Sequence, residues 1–227
     1  MIRVTDFAKD FTLNSQGGVV IPVIRDASFD VAPGECVALT GYSGAGKSTV
    51  MRILHGNYLA LSGQVEINGL DITGATPREI LMLQRESLGY VSQFLRVVPW
   101  VATLDVVAEP LLALGCDEAT AHTRARDLLV RPRIPECLWS LSPTTFAGGE
   151  QQRVNIARGF AYAYPVLLLD EPTASLDATN RETVLSLIEE AKAGGAAVVG
   201  IFHDHAARDR VADREIDVSA FAPKVAA

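Results

Sequence analysis

The chain has 227 residues, and 20 Lys and Arg against 27 Asp and Glu give it a net charge of −7. This acidic balance argues against a nucleic-acid-binding protein, because phosphate neutralisation requires a basic face. Its three cysteines are too few for a disulfide framework. Its most apolar stretch, 97–114, is interrupted by prolines and acidic residues. We therefore expect a cytoplasmic protein that inserts no segment into a membrane.

The first forty residues predict β-structure. Short runs rich in β-branched residues occupy Val19–Val23, Ala27–Val31 and Cys36–Thr40. Turns are predicted at Gly17-Gly18, before the first run, and at Pro33-Gly34, before the third. A glycine-rich loop follows, and then the pattern of a helix. Further along the chain we predict a helix over Lys47–His55, a strand over Gln64–Ile67 with an Asn68-Gly69 turn, a buried strand over Val166–Leu169, a helix over Asn180–Lys192 and a second buried strand over Ala196–Phe202.

Between about Thr103 and Ala161 the apolar residues recur at helical spacing. Strand–helix alternation around a helical block predicts one α/β domain over 1–227. We expect an N-terminal antiparallel β part, a mostly parallel core sheet and an inserted helical subdomain. In this division the α/β core comprises 1–93 and 162–219, the helical subdomain comprises about 94–161, and 220–227 form a tail.

Residues 41–48 read Gly-Tyr-Ser-Gly-Ala-Gly-Lys-Ser, which matches the phosphate-binding P-loop pattern at every fixed position. Such a loop curves its backbone N–H groups around a phosphate chain at the N-terminus of a helix. Lys47 then places a positive charge near the β- and γ-phosphates. The Ser48 hydroxyl ligates Mg²⁺, and Thr49 lies within reach of the α-phosphate.

A second set of candidate residues follows the apolar run that ends at Leu169. The acidic pair Asp170-Glu171 stands at the carboxyl end of this predicted strand, where ligands bind in doubly wound sheets. We predict that Asp170 holds Mg²⁺, directly or through water. Glu171 is placed to polarise the attacking water.

Residues 146–158 read Phe-Ala-Gly-Gly-Glu-Gln-Gln-Arg-Val-Asn-Ile-Ala-Arg. This segment resembles the signature motif of the ATP-binding cassette (ABC) ATPases. The other motifs of that family follow in order along the chain. They are an aromatic residue at Phe11, the glutamine of Tyr-Val-Ser-Gln at Gln93, Ser175-Leu176-Asp177, and the histidine of Ile-Phe-His-Asp at His203.

The resemblance implies ATP and Mg²⁺ as cofactors and a second ABC subunit in a head-to-tail dimer. In such a dimer the signature helix of one subunit meets the γ-phosphate held by the other. Glu171 and His203 are then the candidate catalytic residues. Ser48, Gln93 and Asp170 are the candidate metal ligands. The candidate nucleotide-binding residues are Phe11, Gly41, Ser43, Gly44, Gly46, Lys47, Ser48, Thr49, Gln93, Ala147, Gly148, Gly149, Glu150 and Asp177.

One departure from the family pattern concerns Ala147, which stands where the family has a serine. The missing hydroxyl removes one hydrogen bond to a charged γ-phosphate, which contributes about 1.5–3 kcal/mol. We expect ATP binding to survive and hydrolysis to be slowed.

Four segments in and around these motifs resemble one ABC subfamily, the second ABC-type subunit of the bacterial carbon–phosphorus lyase system. This resemblance implies that the chain works with the other lyase subunits in phosphonate breakdown. The reaction is the formation of a ribose 1-phosphonate 5-triphosphate from ATP and a phosphonate. The segments are 89–99, 138–146, 153–160 and 199–204.

Two alternatives remain open. A transporter motor of the lipoprotein-release or macrolide-export type shares the same layout, and it would dock a membrane subunit in a groove near Gln93 to Val107. The apolar stretch 94–101 suits either that subunit or a soluble lyase partner. An ATP-dependent clamp or assembly factor with slow hydrolysis is the other alternative, which Ala147 favours.

Overall fold

The computed structural model describes residues 1–13 and 17–223. Two sheets and a group of helices make up this part of the chain. The strands are β1 (Ile2–Leu13), β2 (Val19–Val31), β3 (Cys36–Thr40), β4 (Ser62–Ile67), β5 (Leu70–Asp71), β6 (Leu88–Val91), β7 (Val166–Asp170), β8 (Ala197–Ile201) and β9 (Arg214–Asp217). The helices are α1 (Lys47–Leu54), α2 (Pro77–Glu86), α3 (Thr103–Ala113), α4 (Glu118–Val130), α5 (Gly148–Gly159), α6 (Ala178–Ala193) and α7 (His205–Val211).

The N-terminal sheet is antiparallel, with the strand order β2-β1-β4-β5. The two short strands predicted over Val19–Val23 and Ala27–Val31 prove to be one long strand, β2. Their separation was wrong because the break between them is a change of register against β1, and the strand continues through it. Asp26 has a φ of 50° at this irregularity. A bulge of this kind bends a strand without ending it.

The second sheet is parallel, with the order β6-β7-β8-β3-β9. Every residue of β7 and of β8 is buried, as expected for central strands that have helices on both faces. In-register pairs join Val91 to Leu169 and Asp170 to Ile201. The carboxyl ends of β6, β7 and β8 therefore lie side by side, next to the end of β3.

The predicted helical block contains α3, α4 and α5, which pack on one another. Its apolar side chains belong to the same hydrophobic cluster as those of β7 and α6. The structure therefore supports the helical character of this block, while the predicted subdomain boundaries at 93/94 and 161/162 stay a prediction. Among the described residues, no helix is long and apolar enough to cross a membrane.

Several short elements were not identified from the sequence. Helix α2 buries only Leu83, so its apolar pattern is weak, although the Thr76 and Glu79 capping box marks its start. Strands β6 and β9 have four residues each, which is too short for a periodicity argument. The start of the predicted 220–227 tail is ordered, because a 3₁₀-helix spans Val218–Phe221. Residues 224–227 of that tail lie outside the described residues.

Close packing at Gly159 places α5 against β6. A Cβ atom on Gly159 would lie 2.4 Å from the Cγ2 atom of Val91, which is far inside van der Waals contact. This glycine therefore allows the carboxyl end of the signature helix to approach the strand that leads to Gln93.

We predict that Gly159→Ala destabilises the protein by about 1–3 kcal/mol, because an extra methyl group must displace a well-packed core. Urea unfolding followed by circular dichroism measures the effect. Gly74→Ala is the matched control, since a Cβ there meets nothing within 4 Å and its φ is not positive. An equal effect of the two substitutions would contradict this account of the helix–strand contact.

Candidate nucleotide site

The candidate site lies at the carboxyl edge of the parallel sheet. β3 leads into the P-loop, β6 leads to Gln93, β7 leads to Glu171 and β8 leads to His203. Strands that run in the same direction deliver their following residues to the same edge, so residues far apart in sequence meet there.

The P-loop takes the backbone conformation that the sequence predicts. Gly41, Gly44 and Gly46 have φ values of 130°, 87° and 101°, which favour glycine. Gly46 is the N-cap of α1, and no acidic residue stands in the first turn of that helix. Its free N–H groups and the helix dipole therefore favour an anion at this end.

The Lys47 ammonium lies across the P-loop. It donates to the carbonyl oxygens of Gly41, at 2.8 Å, and of Tyr42, at 3.1 Å. Both acceptors are neutral loop carbonyls, so these two bonds do not neutralise the positive charge of Lys47. The loop therefore combines curved N–H groups with a cation, which fits a phosphate chain. Ser43 and Thr49 lie on the same loop and on the first turn of α1.

Asp170, the predicted metal ligand, carries a buried carboxylate. The residue is only 8% exposed at the end of β7. Burial raises the pKa of Asp170, and the charge of Glu171 adds to that rise. A nearby cation would stabilise the ionised form. Ser48, Gln93 and Asp170 all line one groove, so the three predicted metal ligands border a common space.

This set is small for a metal site made of protein ligands alone. Among residues 1–13 and 17–223, no cluster of three or more His, Cys, Asp or Glu suits a metal ion. A set of one carboxylate and neutral oxygens is typical of Mg²⁺ held mainly by phosphates and water. The residues present therefore fit magnesium bound together with a nucleotide.

Glu171 meets Gln93 and His203 at the sheet edge. Its Oε1 atom lies 2.7 Å from Nε2 of His203, and Nε2 of Gln93 donates to its Oε2 atom at 3.4 Å. Glu171 has a φ of 55°, and its N–H bonds to the carbonyl of Ile201. Such a left-handed conformation is costly for a residue with a side chain and is found at functional sites. It turns the carboxylate toward the histidine and the glutamine.

The signature residues open α5 as predicted. Ala147 is the N-cap of this helix, and Gly148 and Gly149 begin its first turn. The N–H of Ala147 donates to Oε2 of Glu150 at 3.1 Å, which is one half of a capping box. The other half is absent because alanine has no side-chain acceptor for the N–H of Glu150.

Asp177 is the N-cap of α6. Its carboxylate accepts hydrogen bonds from the backbone N–H and the side-chain amide of Asn180. These bonds hold the pKa of Asp177 below its usual range. The preceding segment lies close to the signature, since a Cβ on Gly149 would be 3.2 Å from the carbonyl oxygen of Ser175. Asp177 thus fixes the turn that lies beside the signature glycines.

Phe11 lies apart from the sheet edge, on β1 of the antiparallel sheet. Its ring meets that of Tyr58 edge to face, with centroids 5.2 Å apart, and the Lys9 ammonium lies over it. The same sheet reaches the P-loop through β2, because a Cβ atom on Gly46 would lie 3.2 Å from the side chains of Val23 and Ile24. The adenine-stacking role of Phe11 stays a prediction.

Three residues with a part in the site were not singled out from the sequence. Asn155 donates to the carbonyl of Ser92 at 2.6 Å, and Gln152 donates to that of Pro172 at 3.4 Å. Both are buried on α5, and they attach this helix to the segments that carry Gln93 and Glu171. Tyr90 lies with its hydroxyl 3.5 Å from Asp170. For Asn155 and Gln152, the one available sequence signal was their helical spacing from Gly148.

Comparison with known families agrees with this geometry. The model of the ABC transporter family matches residues 24–174, which include the P-loop, the signature helix and the acidic pair after β7. The chain belongs to the ABC transporter family. It is an ABC ATPase domain, as the signature motif implied.

Similar proteins include three curated bacterial relatives. The ABC transporter ATP-binding protein YtrE of Bacillus subtilis is 34% identical over 90% of this chain and 89% of its own. The lipoprotein-releasing system ATP-binding protein LolD of Novosphingobium aromaticivorans is 38% identical over 82% of this chain and 81% of its own length. The macrolide export ATP-binding/permease protein MacB of Marinobacter nauticus is 32% identical, over 96% of this chain and 33% of its own length.

A solved structure shows the same fold. The ATP-binding cassette MJ0796, in a dimeric post-hydrolysis state bound to ADP and Pi, superimposes with a TM-score of 0.87. It is 25% identical, and the match covers 96% of this chain and 95% of that one. The predicted fold class, an α/β ABC cassette with an antiparallel part and a parallel core sheet, is confirmed.

We predict that Glu171→Gln abolishes most ATP hydrolysis and leaves ATP binding intact. The amide keeps the size of the side chain and its hydrogen bond to His203, but it removes the charge that polarises water. General-base catalysis contributes about 10²–10⁴-fold, so a loss in that range is expected. Steady-state phosphate release and calorimetric ATP binding measure the two quantities.

Glu136→Gln is the matched control for this substitution, because Glu136 is an exposed carboxylate in a 3₁₀-helix. Lys47→Ala supplies a reference that loses binding as well as turnover. If the Glu171 variant hydrolyses ATP at the rate of the parent, another residue holds the water and this assignment is wrong.

Proposed function

We propose that this ABC ATPase is the motor subunit of a membrane transporter of the lipoprotein-release or macrolide-export type. Two of the relatives described above carry the names of such systems. The name of MacB joins an ATP-binding part and a permease in one protein. A groove beside the Gln93 segment is the structural feature that favours a membrane subunit as the partner.

The groove has a volume of about 920 Å³ and extends outward from Ser48 and Asp170. Large apolar side chains stand at its rim, where Leu81 is 64% exposed and Phe94 is 69% exposed. Nearby, the exposed fraction of Trp100 is 91%, and its φ is 70°. Exposed apolar side chains at the rim of a groove support an interaction site here.

In this proposal the P-loop and Asp170 would hold Mg²⁺-ATP, and the metal ion would supply positive charge at the phosphates. Glu171 accepts the proton of the attacking water, while Gln93 and His203 keep its carboxylate in place. The signature residues Gly148 and Gly149 face the γ-phosphate of a second ABC subunit in a head-to-tail dimer. The dimeric state of MJ0796 supports such an assembly.

The phosphonate-breakdown function, which the sequence analysis put first, receives less support than the transporter alternative. The three relatives described above carry transporter names, and none of those names refers to phosphonates. The predicted partnership with other carbon–phosphorus lyase subunits therefore becomes one outcome of the test below.

We predict that the tagged chain co-purifies with an integral membrane protein from its own cells in mild detergent. The double substitution Leu81→Ser and Phe94→Ser should reduce the recovered partner by at least about tenfold and leave ATP binding unchanged, since each buried side chain of this size contributes about 1.5–3 kcal/mol. Val130→Ser is the control, because this apolar side chain is 61% exposed on α4, outside the groove. Recovery of soluble phosphonate-degrading proteins in place of a membrane protein would establish the lyase alternative.

A fourth prediction concerns the signature. Ala147→Ser should strengthen ATP-driven dimerisation and raise hydrolysis by about tenfold or more, because the hydroxyl adds a hydrogen bond to a charged group across the dimer. Sedimentation with ATP and a phosphate-release assay measure these effects. Nucleotide affinity of the monomer should stay the same.

The same hydroxyl also completes the capping box with Glu150, which stabilises the monomer by about 1 kcal/mol. Ala147→Asp separates the two effects, because a carboxylate caps the helix equally well and repels a phosphate. We expect both variants to gain thermal stability and only the serine variant to gain dimerisation. A gain in both variants, or in neither, would mean that this helix does not close on ATP, as expected for a clamp or assembly factor.

A further inference from the structure

The segment after β9 lies beside the start of the P-loop. Strand β9 pairs in parallel with β3, and Asp217 stands opposite Thr40 in that pairing. A 3₁₀-helix over Val218–Phe221 follows directly. Because β9 is the edge strand of the parallel sheet, this short helix leaves the sheet next to Gly41, the first residue of the P-loop. None of the predicted site residues belongs to this segment.

Packing on both sides fixes the position of this short helix. The side chain of Val218 is fully buried in the core beneath the sheet. The ring of Phe221 stacks on that of Phe29 in β2, with the centroids 6.5 Å apart. The backbone N–H of Ser219 donates to Oδ1 of Asp217 at 2.9 Å. Ser219 lies between these anchors, so its side chain has a defined place.

The Ser219 hydroxyl contacts the first two residues of the P-loop. Its Oγ atom accepts a hydrogen bond from the N–H of Tyr42 at 3.3 Å. A Cβ atom on Gly41 would lie 2.7 Å from this Oγ atom and 3.2 Å from Oδ1 of Asp217. The lack of a side chain at Gly41 therefore lets the hydroxyl come within reach of the Tyr42 N–H.

One peptide group of the P-loop is thus held from two sides. The group that joins Gly41 to Tyr42 accepts a hydrogen bond from the Lys47 ammonium through its carbonyl oxygen, at 2.8 Å. It donates to Ser219 through its N–H. The carbonyl and the N–H of a planar trans peptide group point in opposite directions and rotate together. A bond at the N–H therefore limits the movement of the carbonyl that receives Lys47.

From this arrangement we propose that Ser219 is a positioning residue for nucleotide binding. It fixes the Gly41–Tyr42 peptide group and, through that group, the place of the Lys47 ammonium, which is predicted to face the phosphates. A loop already held in one conformation loses less conformational freedom when a ligand binds, which favours binding. This inference rests on the proposed nucleotide site, but it does not depend on which partner the chain serves.

The fold of the segment itself does not use the Ser219 hydroxyl. Its anchors are the buried side chain of Val218, the ring of Phe221 and the backbone N–H of Ser219. Removal of the hydroxyl therefore leaves these contacts in place and releases only the Tyr42 N–H. A structural role and a positioning role thus predict different results, because only the second weakens nucleotide binding without a loss of stability.

Ser219→Ala on the full chain tests the proposal. We expect the Kd for Mg²⁺-ATP and the KM of hydrolysis to rise about twofold to tenfold, the range for one hydrogen bond. Because the loop holds the phosphates in the ground state and the transition state alike, kcat should stay the same. The melting temperature without nucleotide should also stay the same. Calorimetry, steady-state phosphate release and thermal unfolding measure these quantities.

Two further variants serve as controls. Ser219→Thr keeps the hydroxyl and should bind Mg²⁺-ATP as the parent does. Ser186→Ala is the matched control, because Ser186 is also partly exposed and its hydroxyl donates to the Glu182 carbonyl on α6, at 3.0 Å. An unchanged Kd in Ser219→Ala, an equal loss in the alanine and threonine variants, or a fall in kcat at constant KM would each overturn the proposal.

These outcomes are distinct from a failure of the proposed function. If the parent binds no Mg²⁺-ATP, the proposed nucleotide site fails and the role of Ser219 fails with it. If the parent binds and hydrolyses ATP and Ser219→Ala matches it, only the role of Ser219 is removed. Recovery of soluble partners in place of a membrane protein would remove the transporter proposal and leave the result for Ser219 as it stands.

Discussion

Parallel pairing of β7 with β6 and β8 is the constraint on which the site depends. Leu169 pairs with Val91, and Asp170 pairs with Ile201. Gln93, Glu171 and His203 each stand a residue or two beyond these pairs, so the register alone brings them together. A slip of one residue would turn each following side chain to the opposite face and separate the three groups. The complete burial of β7 and β8 fixes that register, because any slip would expose apolar side chains or bury polar ones.

Helix α5 connects this edge to the rest of the molecule. Its first residues are the signature, its middle is attached by Asn155 and Gln152 to the Gln93 and Glu171 segments, and its end packs on β6 at Gly159. These contacts are buried amide hydrogen bonds and a tight van der Waals contact, both of which are sensitive to small displacements. A partner that moves this helix therefore acts on the groove and on the carboxylate edge together. The same helix provides the surface that a second ABC subunit would meet.

Charge is distributed unevenly over the protein. Most arginines near α6 and α7 are paired with glutamates. In contrast, no carboxylate of the described residues forms an ion pair with Arg52, Arg85 or Arg96, which line the groove. Burial and the charge of Glu171 raise the pKa of Asp170, and a nearby cation would stabilise its ionised form. The groove thus extends from the buried carboxylate of Asp170 to a surface lined by these three arginines.

Local patterns along the chain are enough to predict the fold class, the P-loop and the acidic pair after β7. The glycines of residues 41–46 and the apolar run before Asp170 specify their conformations without reference to distant residues. The resemblance to the ABC family added Gln93, the signature and His203, and the fold that it implied is confirmed. It also gave the phosphonate function, for which the relatives described above give no support. Their names favour the transporter alternative.

Which residues contact one another depends on the folded arrangement of the sheets and helices. The bond between Asn155 and Ser92 spans 63 positions and that between His203 and Glu171 spans 32, distances over which no periodicity carries information. The continuity of β2 through its bulge depends on its pairing with β1, and the short strands β6 and β9 exist because their neighbours supply hydrogen bonds. The arginine-lined groove likewise combines side chains of α1, α2 and the segment after β6. Patterns along a chain report local conformation and burial, whereas sites arise from packing between elements, and packing is settled only when the whole chain folds.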